Sequence, residues 1–511
     1  MNTDNQFETA KEYFQVGLNY FDNGDYDRAK LSLLDAYKIM PERPSILASL
    51  SATCIQLKEW EEAKSFCRKL LKISPEDSIG WLNLGVCTAH ENYYELAIEY
   101  FSNCLAIDPN LVAAWSNKGH AHLEKEEFLD ANNCYIKALK LNPKYEDALI
   151  GLGNLLNEQK KYEDALKYFD GAIFTNPNNY LAKWNKALSL LRLGNFEAGW
   201  PLFESRRHVS GMMEHMPKLD APLWLGHQSL EGKTIYIHAE QGFGDTIQFS
   251  RYLPLLENIK GAKVIFGAPK SLVPLMKSLS LTIKAVDQQS FSENYHDRID
   301  FHCPIMSLPL AFGTTLDTIP MSMRYLKTDP TKRAIWAKKL ECSKGKPTPL
   351  KIGISWRGSG KYANKVSEKR NVPFLLFADL IAELKSDGVE FHAIQTEFGS
   401  DTAFKAPSLE GLNIHTNDLI DFSDTAGLIS QLDLVISVDT ACAHLAGALG
   451  VATLLLIPDP PDFMSLTECD QSPWYPNTSL LRQDKRGDWE RPLAEVKKKI
   501  LLLIKNGSLD S

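Results

Sequence analysis

His238-Ala-Glu-Gln-Gly-Phe-Gly-Asp-Thr-Ile-Gln-Phe249 is the stretch on which the fold turns. The apolar run Lys233-Thr-Ile-Tyr-Ile-His-Ala239 leads into it and reads as a buried strand. Gly242 and Gly244 follow, then a helical pattern through Tyr252 and Leu255. Strand, Gly-rich turn and helix make the opening unit of a nucleotide-type α/β domain. The helix is expected to start at Gly244-Asp245-Thr246, so its free N–H groups and positive dipole end face the turn. Asp245 there either caps the helix or does chemistry. Glu240, near the same strand end, is the second acid of the turn.

The same pattern returns in Val435-Ile-Ser-Val-Asp-Thr-Ala-Cys-Ala-His-Leu-Ala-Gly-Ala-Leu-Gly450. Asp439 and Thr440 stand where the strand ends. The N–H groups of Ala441 and Cys442 would point out of the helix start, a geometry suited to a diphosphate. His444 lies one turn in. Read plainly, Asp439 and Thr440 are helix caps and His444 is a satisfied helix histidine; a site is the other reading.

Around these stretches, strands alternate with helices, which means mostly parallel sheets covered by helices. In the first half the strands are expected at 262–266, 281–285 and 298–302, with a helix over 270–279. In the second they are expected at 350–356, 389–394, 432–438 and 452–457, with helices at 332–340, 374–384, 425–431, 441–449 and 492–505. The predicted halves are 231–328 and 329–511, preceded by a linker over 214–230. Two facing Rossmann-like halves of this kind describe the α/β GT-B arrangement, with donor and acceptor in the cleft between them.

The first two-fifths is different. Pro41, Pro75, Pro109, Pro143 and Pro177 are spaced by 34 residues, the period of the tetratricopeptide repeat. Small residues keep phase at Gly17, Ser51, Gly85, Gly119, Gly153 and Ala187, and again at Ala29, Ala63, Ala97, Ala131, Ala165 and Gly199. Aromatics follow at Tyr26, Trp60, Tyr94, Phe128, Tyr162 and Phe196. Each unit is a helix-turn-helix that buries its apolar face only against its neighbours. An α superhelix of about six repeats over 1–213 is predicted, the last one degenerate after Trp200. Asn83, Asn117 and Asn185 share one place in three repeats, on the helix expected to line the groove. An Asn amide there can hold an extended peptide backbone with both a donor and an acceptor; a solvated helix face is the alternative.

The net charge of −8 argues against a nucleic-acid binder held by phosphate contacts. The cysteines show no C-x-x-C pair and no metal-ligand spacing. Reduced thiols and a cytoplasmic setting are expected. The polar N-terminus has no signal-peptide core, and no apolar run reaches membrane-spanning length.

The stretch Asp439-Thr-Ala-Cys-Ala-His-Leu-Ala-Gly-Ala-Leu-Gly450 resembles the donor-binding signature of the heptosyltransferase family of GT-B enzymes, and Gly244-Asp245-Thr246 resembles that family's first-half turn. The whole chain resembles bacterial tetratricopeptide-repeat proteins with a heptosyltransferase-like region, and its plan is similar to that of O-GlcNAc transferases. The Asn column is likewise similar to the asparagine ladder of the latter. The resemblance implies an inverting glycosyltransferase with a nucleotide-sugar donor as substrate and no cofactor. It implies Asp245 as general base, Asp439 at the donor sugar, and Thr440, the helix start and His444 at the diphosphate. Pro458-Asp-Pro-Pro-Asp-Phe-Met464 departs from the family, which often carries aromatic and basic residues there.

Glycosyl transfer needs a base, a stabilised leaving group and exclusion of water. Glu240 is the reserve base. An Asp at a helix N-terminus is expected to have a lowered pKa, which a partly desolvated pocket would offset. With no Asp-x-Asp motif near the site, a metal-independent reaction is expected. The cation at the diphosphate is sought in Trp356-Arg-Gly-Ser-Gly-Lys361, through Arg357 and Lys361, or in Lys369-Arg370. Gln395, at the end of the next strand, is placed to read a base or ribose, and Arg482 to close the cleft or to form a surface pair. A repeat groove recruiting a protein or glycan acceptor completes the expected function. A repeat scaffold with a non-catalytic α/β region is the alternative.

Overall fold

The structure is a computed structural model that describes residues 3–212, 216–291, 299–341, 349–358, 369–385, 388–396 and 410–509. Ser359, Gly360 and Lys361 of the predicted basic turn lie outside the described residues. The chain divides into two compact units, 1–186 and 187–511.

The first unit is a series of helix pairs beginning with Thr3–Asp22 and Tyr26–Ile39 and continuing through Glu146–Glu158 and Tyr162–Thr175. The aromatic column supplies the first residue of each second helix, as in Trp60–Ile73 and Phe128–Leu141. The small column faces a different set of rings, further along the second helices. A Cβ on Gly85 would meet Phe101 at 2.5 Å, one on Gly119 Tyr135 at 2.9 Å, and one on Gly153 Phe169 at 2.4 Å. These contacts set how closely the paired helices approach. Each column proline lies two residues past a second helix: Ile73 is followed by the cap Ser74 and then Pro75. The turn inside each pair holds one residue at positive φ, namely Gly24, Lys58, Asn92, Glu126 and Lys160, with Gly194 continuing the series. Only Gly24 and Gly194 take that conformation without a Cβ penalty.

The unit boundary falls inside the helix Tyr180–Arg192, earlier than residue 213. The reason lies in the second unit. Its first full helix, Phe196–Phe203, is buried against α/β side chains: Phe196 stacks on Trp474, Trp200 meets Phe249 edge-on, and Phe203 packs on Phe463.

The rest of the second unit is α/β, with two all-parallel sheets. The strands of the first are β1 (Thr234–His238), β2 (Lys263–Ala268), β3 (Lys284–Asp287) and β4 (Phe301–Pro304), in the order β3-β2-β1-β4. Those of the second are β5 (Leu350–Ser355), β6 (Val389–Ala393), β7 (Leu412–Ile414), β8 (Leu434–Val438), β9 (Thr453–Ile457) and β10 (Thr478–Arg482), in the order β10-β9-β8-β5-β6-β7. Counted from β5, that is the 3-2-1-4-5-6 order of a doubly wound nucleotide-binding sheet, read from the other edge. Strands buried on both faces read as unbroken apolar runs: Leu434–Val438 and Thr453–Ile457 are buried throughout. Ile352, Phe377, Ile381, Ile436 and Leu454 fill the core, and the C-terminal helix Glu490–Asn506 adds Val496 and Ile500.

The predicted helix over 270–279 is reduced to Val273–Met276, which has Pro274 in its first turn. The strand expected at 281–285 lies further on, at β3.

Candidate functional site

In an open parallel sheet, ligands settle outside the strand ends where the order reverses. In the second sheet that crevice lies between β5 and β8. Trp356, Arg357 and Gly358 leave β5 there, and Asp439 and Thr440 leave β8. In the first sheet the reversal lies between β1 and β4, where Glu240 to Gly242 leave β1. The two turns meet. A Cβ on Gly244 would lie 2.8 Å from His444 Cδ2 and 3.6 Å from the backbone N of Ala441. Only a glycine lets the first turn approach the second helix so closely.

The first helix is Phe243–Phe249. Asp245 sits in its first turn, where its Oδ2 accepts the Gly242 N–H at 3.0 Å. Burial pushes its carboxyl up to about 6. The charge on His444 and the Gly242 hydrogen bond oppose the rise, while Asp462 and Asp439 add to it. The lowered value expected for a helix N-terminus is therefore corrected: desolvation and neighbouring carboxylates outweigh the dipole of a two-turn helix. Gln241, just before this turn, holds a φ of 55°, a strained conformation for a residue with a side chain.

His444 is held from both sides. Its Nε2 lies 3.1 Å from Asp439 Oδ1, and its Nδ1 lies 3.1 Å from the Tyr475 hydroxyl. Burial raises the Asp439 carboxyl, but the His444 hydrogen bond and the charges of His444 and Arg370 hold it below its ordinary value. Thr440 is the N-cap of the helix Ala441–Leu449, with its hydroxyl 3.1 Å from Ser437 Oγ. The N–H groups of Ala441 and Cys442 open that helix and have no acceptor within it. The Cys442 thiol points elsewhere, to Ile394 O at 3.3 Å, and burial pushes it up to about 12.

Several assignments are corrected. Glu240 is not a free base. Its side chain is buried, Arg206 grips both carboxylate oxygens at 3.0 and 2.8 Å, and Met306 N–H donates to Oε1 at 2.9 Å. Gln395 is buried with its Oε1 accepting the Trp356 N–H at 2.9 Å, which ties β6 to β5. Arg482 donates to the carbonyls of Ser465, Leu466 and Cys469 and pins that loop. Arg357 stays half-buried at the crevice. Arg370 packs over Gly358, and its charge acts on both Asp439 and Asp462. In the repeats, Asn83 is buried and donates to Ser51 Oγ at 2.9 Å, and Asn185 donates to Asn154 at 3.0 Å. Those two amides link successive repeats. Asn117 is half-buried.

Three residues were not singled out from the sequence. Tyr475 orients His444. Arg251 is buried, stacks on Tyr325, Trp474 and Tyr475, and donates to Trp474 O. Asp462 caps a short turn after β9 and influences Asp245. Of the three, Asp462 falls in the stretch Pro458–Met464 that departs from the family pattern.

Residues 20–84, 80–111, 116–180 and 158–205 match family models of the tetratricopeptide repeat. The chain carries a tetratricopeptide-repeat array. Protein FlbA of Caulobacter vibrioides is 27% identical over 344 residues, covering 62% of this chain and 54% of FlbA. Superkiller protein 3 of Saccharomyces cerevisiae is 35% identical over 75 residues, covering 15% of this chain and 5% of that protein. The chain thus spans about half the length of the first relative and a small part of the second. Among solved structures, pilF of Pseudomonas aeruginosa is similar with a TM-score of 0.35 and 20% identity, over 41% of this chain and 96% of that one. A thermophilic tetratricopeptide-repeat protein of Thermus thermophilus is similar with a TM-score of 0.33 and 20% identity, over 36% and 99%. No helix among the described residues is long and apolar enough to cross a membrane.

Proposed function

We propose that the second unit is a GT-B glycosyltransferase that moves a sugar from a nucleotide-sugar to a protein or glycan acceptor recruited by the repeats. The observation that carries this reading is the meeting of the two strand–turn–helix sites, Gly244 against His444, with Asp245 close enough to feel Asp439. The donor diphosphate lies at the N–H groups of Ala441 and Cys442, with Thr440 and His444 beside it and Arg357 and Arg370 as the cations. Asp439 holds His444 and meets the donor sugar. Asp245, with a pKa near neutrality, takes the proton from the acceptor hydroxyl. The hydroxyl oxygen then bonds to the anomeric carbon, and the bond to the diphosphate breaks with its electron pair leaving on the diphosphate. The reaction inverts the anomeric centre and uses no metal.

A second reading is an interaction scaffold whose α/β region does not turn over. It is favoured by the three carboxylates Asp245, Asp439 and Asp462, whose mutual influence makes the crevice less welcoming to a diphosphate. Incubation with UDP-, ADP-, GDP- and dTDP-sugars, reading released nucleoside diphosphate, separates the two. The enzyme releases one nucleotide and Asp245→Asn abolishes that release. A protein that releases none with any donor, alone or with candidate acceptors, is the scaffold.

A further inference from the structure

Residues 321–328, which connect the two sheets, cross the far end of the helix Ala441–Leu449. The N–H groups of Tyr325 and Leu326 both donate to Ala448 O at 3.2 Å. Gly450 ends that helix at a φ of 72°, and a Cβ there would lie 2.5 Å from Met323 O and 2.6 Å from Arg324 Cγ. The stem of Arg324 is therefore held against the helix end.

Beside it opens a groove of about 630 Å³, lined by Arg324, Lys327 and Arg333 over Leu432, Leu449 and Val451. Among the described residues none of these three cations has a carboxylate partner. Their neighbours on the helix Pro330–Lys339 do: Lys332 pairs with Asp424 at 2.6 Å and Lys339 with Asp418 at 2.5 Å. Among the described residues the groove holds one acid, Asp433, which accepts the Lys351 backbone N–H at 2.8 Å. In a chain of net charge −8, this wall of three cations and one carboxylate is net positive. Met321 and Met323, 61% and 60% exposed, precede Arg324 in the chain and offer adaptable apolar contact at the groove's edge. Among the described residues no aromatic ring lines the groove to stack a base.

We propose that this groove is a docking site for an acidic peptide segment of a partner protein, one that alternates carboxylates with apolar side chains. The carboxylates pair with Arg324, Lys327 and Arg333, and the apolar side chains rest on Met321 and Met323. The site lies at the opposite end of the helix Ala441–Leu449 from the candidate donor crevice, so it does not depend on catalysis.

The test is fluorescence anisotropy on the full chain with a labelled peptide of alternating Glu and Leu, beside a Gln-for-Glu version. The wild type binds the Glu peptide and not the Gln peptide, and raising salt from about 0.05 to about 0.5 M weakens binding. Arg324→Glu, Lys327→Glu and Arg333→Glu together lower affinity by at least about tenfold, while Lys338→Glu, outside the groove, does not. If the reversed variant fails to fold by circular dichroism, the corresponding triple Ala variant is read instead, with the same direction of change. Absence of binding, equal binding by the triple variant, or equally groove-dependent binding of a charge-matched oligothymidylate overturns the proposal.

Discussion

Asp245→Asn should stabilise the protein, and only at the higher end of the pH range. The native carboxyl is raised from 3.8 to about 6, so the folded chain holds a proton that the unfolded chain releases first. Stability is therefore lost as pH rises between those values, and the full penalty is present above the higher one. That displacement corresponds to about 3 kcal/mol. The side chain is partly open to solvent, which leaves about 1–3 kcal/mol after screening. An Asn removes the penalty while its amide oxygen still accepts the Gly242 N–H. Urea unfolding of wild type and variant, followed through the transition of the second unit, measures the difference at about pH 4 and about pH 8. The variant should match wild type at the lower pH and exceed it at the higher. A constant difference, or a less stable variant at high pH, would refute the claim that burial dominates the dipole at Asp245.

Other outcomes follow from the same geometry. Glu240→Gln should cost about 3–5 kcal/mol in urea unfolding, because it leaves the fully buried Arg206 with an uncompensated share of its charge. Gly244→Ala should cost about 1–3 kcal/mol, since its Cβ meets His444 and the helix start; an unchanged melting temperature would mean that the turns do not abut. Glu126→Gly and Lys160→Gly should each stabilise the repeats by up to about 1 kcal/mol by relieving positive φ, read as a higher urea midpoint of the first transition.

The repeats were legible because their constraint recurs. A 34-residue period places the same steric requirement at Gly85, Gly119 and Gly153, and each is met by a ring across the pair. The strands of the second unit were legible where both faces are buried, as at 434–438 and 453–457. β7 was missed because it is only three residues long, and β10 because Thr478-Ser-Leu-Leu-Arg482 carries little β-branched character. The site was half legible. Motif and strand end placed Asp245, Asp439 and His444, but the direction of a carboxylate is set by tertiary partners. Glu240 follows a strand just as Asp439 does, yet it turns inward because Arg206, 34 residues earlier, waits there as a buried cation. Arg206 has no local signature, and neither has the Tyr475 hydroxyl that meets His444 from 31 residues away.

The glycosyltransferase reading stands or falls on whether the paired turns bind a nucleotide-sugar. The direct measurement is the thermal shift of wild type and Asp439→Ala with UDP-, ADP-, GDP- and dTDP-sugars. A donor at about a hundred times its dissociation constant stabilises by about 2.7 kcal/mol. The expected result is a shift with one base that disappears in the variant. No shift with any donor, or a shift of equal size in the variant, would contradict it.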